Sequence, residues 1–222
     1  MEQFFSYIGV LLPSMLQGLL STVSLFLLTL VFALPLGLVF ALGGISKIPP
    51  LRWICKTYIW VFRGTPLMLQ LFFFYFFLPI AFDIRFASFP TAVITFVLNY
   101  AAYLAEIYRA GIESIDHGQY EAAKSLGLSP ARTMFGIILP QTFKRVLPPV
   151  SNEMITLVKD TALVNVIGVA ELLKAAKQAV NRDVDMTAYL VAAVFYLMLT
   201  FLLTLLSRYL EKRFSRHEKR ED

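Results

Sequence analysis

Charge is the first thing this chain lacks. Only 16% of its 222 residues are Asp, Glu, Lys or Arg, where a water-soluble domain carries about a quarter. With 58% hydrophobic residues and 20 phenylalanines, there is too little polar surface to enclose it in water. The deficit is also concentrated. No charged residue occurs in 3–46, 64–82, 86–105 or 186–207, runs of 44, 19, 20 and 22 residues. About 20 apolar residues suffice to cross a bilayer as a helix, so this is a polytopic membrane protein. Other absences exclude further classes. A single cysteine, Cys55, permits neither an internal disulfide nor a cysteine-based zinc site. His117 and His217 are a hundred residues apart with no carboxylate or cysteine at ligand spacing, so no metal site is expected. Met1-Glu2-Gln3 lacks the basic start of a signal peptide. No G-x-x-x-x-G-K-S/T phosphate loop is present, so ATP chemistry would have to come from elsewhere.

What is present is mostly apolar runs edged with basic residues. The formal charge of +5 would suggest nucleic acid in a soluble protein; flanking hydrophobic runs, it is a topology signal and no nucleic-acid partner is expected. Four spans are legible, at about 18–45, 65–82, 89–107 and 186–209. Residues 3–17 are expected to lie apart at the surface, because 44 helical residues would extend about 66 Å and Pro13 and Gly18 interrupt them. Lys47, Arg52, Lys56 and Arg63 follow the first span. Arg109, Lys124, Arg132, Lys144 and Arg145 follow the third, and Arg208, Lys212, Arg213, Arg216, Lys219 and Arg220 the last. These 15 of the 20 basic residues share the cytoplasmic side only if the chain crosses once more between Arg145 and Met186. The expectation is an all-α membrane protein, one domain over 1–222, with five transmembrane helices, N-terminus outside and C-terminus cytoplasmic.

The fifth span falls at about 146–170 and contains Asn152, Glu153, Thr156, Lys159 and Asp160. At about 100° per residue these cluster within about 120° of the helix circumference, leaving Met154, Ile155, Leu157 and Val158 for the remainder. A charge at mid-bilayer costs about 3 kcal/mol on insertion scales. A polar stripe there points to a protein interior or a water-filled cavity. Lys159 and Asp160 also fit a second description, as helix-end charges at the outer headgroups; Asn152 and Glu153 lie deeper.

The loop between spans three and four, residues 116–140, carries local signals. Residues 120–126 are good helix formers, and Gly127 stands where a helix end favours a left-handed residue. Ser129-Pro130 then supplies an N-cap and a proline at the first helical position. Glu121, Ala122 and Ala123 give the first helix a narrow face for a partner's groove, or for the lipid headgroups.

Glu121-Ala122-Ala123, three residues, Gly127, nine residues, Ile137, one residue, Leu139-Pro140 resembles the EAA motif of ABC-importer permeases at full spacing. Arg63-Gly64-Thr65-Pro66-Leu67, Ala102-Tyr103-Leu104-Ala105-Glu106-Ile107, Arg109-Ala110-Gly111, Asn152-Glu153, Lys159-Asp160-Thr161 and Val166-Ile167-Gly168 resemble its polar amino-acid uptake branch. The resemblance implies a multi-pass permease of the cell inner (cytoplasmic) membrane, working as a homodimer or heterodimer with a second permease subunit. It implies two cytoplasmic ATPase subunits, which bind the ATP and Mg, and an extracytoplasmic amino-acid-binding protein. The chain itself would bind no cofactor and catalyse no reaction. A short coupling helix between helices 3 and 4 would meet the ATPase through Tyr120, Glu121, Ala122, Ala123, Gly127 and Leu128. Asn99, Asn152, Glu153, Thr156, Lys159 and Asp160 are the candidates for substrate contact.

Several residues have plainer expectations. Thr65 and Pro66 suit the N-cap and first position of a helix, and Glu106 and Arg109 are spaced to pair. Asn99 either bonds a neighbouring helix or lines the path. The phenylalanines at 72–74 and 76–77 surround their helix as a lipid-facing span does. The segment Glu171-Leu-Leu-Lys-Ala-Ala-Lys, with Arg182, Asp183 and Asp185, is expected outside as part of a docking surface. The tail from Arg208 to Asp222 alternates charge as a solvated helix end. A self-contained channel or carrier would need a filter-like glycine run or two repeated halves, and neither is evident.

Overall fold

The computed structural model describes residues 2–214, with side chains from Ser6 onward. Within them every regular element is helical. The helices are α1 (Glu2–Gly44), α2 (Pro49–Gly64), α3 (Leu67–Phe82, with a π turn at Phe73–Phe77), α4 (Ser88–Glu113) and α5 (His117–Ser125). Then come α6 (130–160, with a π turn at Met134–Ile138), a 3₁₀ segment Thr161–Ile167, α7 (Leu172–Asp183) and α8 (Thr187–Phe214). The tail residues Ser215 to Asp222, with Arg216, His217, Lys219 and Arg220, lie outside the described residues.

Three of these helices are long and apolar enough to cross a membrane: α1 from Ser6, α4 and α8. Counting the pair α2 and α3, bent by 106° at Gly64–Pro66, as one span would make a fourth. The stretch expected at 146–170 is no single helix, because the α-helix ends at Asp160 and a left-handed Gly168 (φ 86°) follows the 3₁₀ turn.

The expected break in α1 is also absent. One helix of 43 residues contains both Pro13 and Gly18. Gly18 serves close packing instead: a Cβ there would lie 2.9 Å from the Glu171 carbonyl oxygen and from Leu172 Cα. Leu11 and Met15, fully buried, pack with Leu172, Ala176, Ala188 and Ala192 from α7 and α8. Tertiary burial of this face outweighs the lost hydrogen bond of Pro13.

The packing partners give the directions of the helices. Gly37 meets Ala101 and Leu104, and Ile112 and Ile115 pack with Leu42 and Ile45, so α1 and α4 run parallel. Gly111 admits Val146 and Thr142, while Tyr100 bonds Asp160, so α6 runs against α4. Tyr7 donates to Asp183 (2.8 Å) while Leu172 lies at Gly18, so α7 runs against α1. Tyr196 meets Glu171 and Phe214 meets Phe143, so α8 returns beside α6. The start of α1 and the end of α8 therefore lie at opposite ends of the bundle. Helix α2 crosses the far end of α1, with Tyr58 stacked on Phe40 (3.8 Å) and Cys55 against Gly43.

Two local expectations change. Thr65 does not cap α3; its hydroxyl donates to the Val61 carbonyl (2.8 Å), and the helix begins after Pro66 without a side-chain cap. Glu171 is 1% exposed and caps α7, accepting from the Leu173 and Lys174 N–H groups (2.7 and 2.6 Å) and from the Tyr196 hydroxyl (3.1 Å). It therefore offers nothing to an outside partner. Asp183 pairs with Arg182 (2.6 Å) and accepts from the Tyr7 hydroxyl.

Candidate functional site

Two polar regions stand out on this apolar body. One is the stripe on the second half of α6. Val150, Ser151, Leu157 and Val158 are buried toward the other helices, while Asn152, Thr156 and Lys159 are exposed and Glu153 and Asp160 half-buried. The five expected residues therefore do share a face, and it is the outer face of the single chain.

That stripe continues onto α4. The Tyr100 hydroxyl donates to Asp160 Oδ2 (2.8 Å), and the Tyr100 and Tyr103 rings lie 6.4 Å apart. Arg63, at the end of α2, sits 5.6 Å from the Tyr103 ring centroid and 3.7 Å from Glu106. Glu106 is bonded by Arg109 through two nitrogens (3.0 and 2.6 Å), and Arg109 also pairs with Glu113. The anticipated Glu106–Arg109 pair is thus part of a longer track toward the α4–α5 turn. Tyr100, Tyr103 and Arg63 were not singled out as site residues. For the two tyrosines the signal is the polar recurrence at 100, 103, 106, 109 and 113, which winds about half-way around α4; Arg63, on α2, lies outside it.

Asn99 does not join this track. It is 4% exposed, and its amide donates to Gln70 Oε1 (2.9 Å) and to the Phe62 carbonyl (3.3 Å). Gln70 in turn donates to the Phe62 and Thr65 carbonyls (2.9 and 3.1 Å). Both side chains satisfy carbonyls freed where the chain bends between α2 and α3. With both amide hydrogens engaged, Asn99 ties α4 to the bend between α2 and α3.

The second region is α5 and its turn. Asp116 caps the helix by accepting from the Gly118 N–H (2.6 Å). At the other end Gly127 takes φ 69°, its N–H donating to the Lys124 carbonyl and that of Leu128 to the Ala123 carbonyl. That pair of bonds closes a helix end around a left-handed residue. Ser129 then accepts from the Arg132 N–H (3.4 Å) to start the next helix. Ala123 is buried and Tyr120 packs with Ile112, Ile115 and Ile138, whereas Glu121, Ala122, Gly127 and the 77%-exposed Leu126 face away from the protein. Gln141, which donates to Gln119 (3.2 Å), ties this helix to α6, and Arg145, which bonds the Ser114 carbonyl, ties α6 to the end of α4. An open cavity of about 1080 Å³ lies beside it, lined by Ile45, Ile112, Tyr120, Lys124 and Met134. Among the described residues no cluster of His, Cys, Asp and Glu could hold a metal ion.

An apolar helical bundle with several helices long enough to cross a bilayer and a polar outer stripe is the architecture of a polytopic membrane protein. The chain belongs to the family described as the binding-protein-dependent transport system inner membrane component, which matches residues 33–216. It is 41% identical over 207 residues to the L-cystine transport system permease protein TcyB of Bacillus subtilis (92% of this chain, 88% of that one). It is 39% identical over 203 residues to the arginine transport system permease protein ArtQ of the same organism (91% and 93%). Among solved structures, an amino acid ABC transporter crystallised with histidines superposes with a TM-score of 0.87 at 36% identity, covering 95% of this chain and 98% of that one. The chain is accordingly a multi-pass permease of the inner membrane.

Proposed function

We propose that this permease imports polar amino acids as one half of a dimeric pathway driven by partner ATPases. The observation that carries the reading is the position of the α6 stripe. Asn152, Glu153, Thr156, Lys159 and Asp160 lie on the outside of a single chain, where exposure to lipid would cost about 3 kcal/mol per charge. A second permease chain covering that face would turn it into the wall of an aqueous path. The stripe carries both signs, as a zwitterion requires. Glu153 and Asp160 suit the substrate's ammonium group, and Lys159 and Asn152 its carboxylate. Relatives named for cystine and arginine transport support the class.

In this reading the chain crosses the membrane five times, through α1, α3, α4, the α6–α7 segment and α8, with its N-terminus outside. The alternating helix directions and the positive charge at one end of the bundle support it. Helix α5 is the coupling helix. Its exposed Glu121 and Ala122 enter a groove on an ATPase subunit, which binds the ATP and Mg²⁺; its tie through Gln141 passes the closure to α6, and the Arg145–Ser114 bond carries it on to α4. An extracytoplasmic binding protein delivers the amino acid.

The test is co-purification of tagged permease from its native membrane. An ATP-hydrolysing subunit should accompany the wild type and be lost from Gly127→Asp and Glu121→Lys. If no such subunit accompanies the wild type and the chain alone conducts solute in liposomes, the reading fails.

A further inference from the structure

Helix α2 is left over when the crossing helices and the polar track are accounted for. It lies at 106° to α3, so it runs across the direction in which the chain traverses the membrane. One face is buried, with Cys55 against Gly43 and Ile59 against Gly44. The other is open and graded. Arg52, Lys56, Trp60 and Trp53 fall within about 100° of the circumference, and Ile54 and Val61 occupy the flank beyond them. Trp53 is 70% and Trp60 75% exposed. Arg63 continues the basic stripe but is engaged by Glu106 and Tyr103. Among the described residues, Arg52 and Lys56 take part in no ion pair. They stand one helical turn apart, about 6 Å between Cβ atoms, a span that suits one phosphodiester.

A gradient from cations through tryptophan to aliphatic side chains around one helix matches the gradient from headgroup to acyl chain across a lipid interface. We propose that α2 is an interfacial helix with a site for an anionic phospholipid. Arg52 and Lys56 hold the headgroup phosphate, Trp53 and Trp60 sit at the acyl boundary, and Ile54 and Val61 meet the chains. The charge complementarity commits the face to an anionic lipid, because a zwitterionic one presents its own cation to the same stripe. Which leaflet it occupies rests on the orientation proposed above; the selectivity does not.

The chain contains two tryptophans, both on this face, so its tryptophan emission reports on α2 alone. The full chain would be placed in zwitterionic lipid nanodiscs containing either acyl-brominated phosphatidylglycerol or acyl-brominated phosphatidylcholine. Both should quench, with half-quenching by phosphatidylglycerol at a mole fraction roughly 25-fold lower, the preference expected of two cations at about fivefold each. The pair Arg52→Gln and Lys56→Gln should move the phosphatidylglycerol curve onto the phosphatidylcholine one and leave the latter unchanged. Equal quenching by the two lipids in the wild type overturns the proposal. So does the absence of quenching by either, which would mean that protein covers the face, or a preference that survives in the double variant. The wild-type comparison decides by itself should the double variant not fold.

Discussion

Glu153 and Asp160 stand two turns apart on α6 and share a face, yet their surroundings differ. Asp160 is held by the Tyr100 hydroxyl at 2.8 Å, while Glu153 has no hydrogen-bond donor within the described chain. A carboxylate placed in this way is available to a cation from outside. Glu153→Gln should therefore slow uptake by about tenfold, the loss expected when one charge-assisted hydrogen bond of about 1.5–3 kcal/mol becomes a neutral one. Association with the ATPase should be unchanged. Uptake kinetics equal to the wild type would remove Glu153 from the path.

Helix ends offer a sharper comparison, because the fold uses left-handed residues of two kinds. Gly127 takes φ 69° at the end of α5 without steric penalty, whereas Val184 takes φ 54° at the end of α7, where a β-branched side chain is strained by about 1–2 kcal/mol. Gly127→Ala should lower stability by about 1 kcal/mol, and Val184→Gly should raise it by about as much. Thermal unfolding of the purified permease would measure both. The same contrast explains which elements could be seen in the sequence. The α5 turn was legible because glycine and Ser-Pro announce it locally, and the apolar runs announced α3, α4 and α8. The end of α7 carries a valine where a left-handed residue stands, and Gln70 lies unremarked in an apolar run. The role of Gly18, and the unbroken course of α1 through Pro13, are set by packing against residues more than a hundred positions away, and Glu171 turns inward to cap its own helix and meet Tyr196. The α6 stripe was readable from helical period alone; that it faces outward from the chain required the neighbours.

At the scale of the whole molecule, the bundle buries small and apolar surfaces between α1, α4 and α6 and leaves two kinds of outer face. Helix α8 exposes Leu197 and Leu202, which suits lipid; α6 exposes Asn152 and Thr156, which does not. The central claim is that water and substrate reach the second face between two permease chains. Cys55 is buried and is the single cysteine, so a Cys55→Ala background is clean for labelling. Thr156→Cys and Asn152→Cys, in the assembled transporter, should react with a charged, membrane-impermeant maleimide and be protected by substrate. Leu197→Cys and Leu202→Cys should stay unlabelled. Stripe cysteines as inert as those on α8, with ATP and without it, would contradict the account.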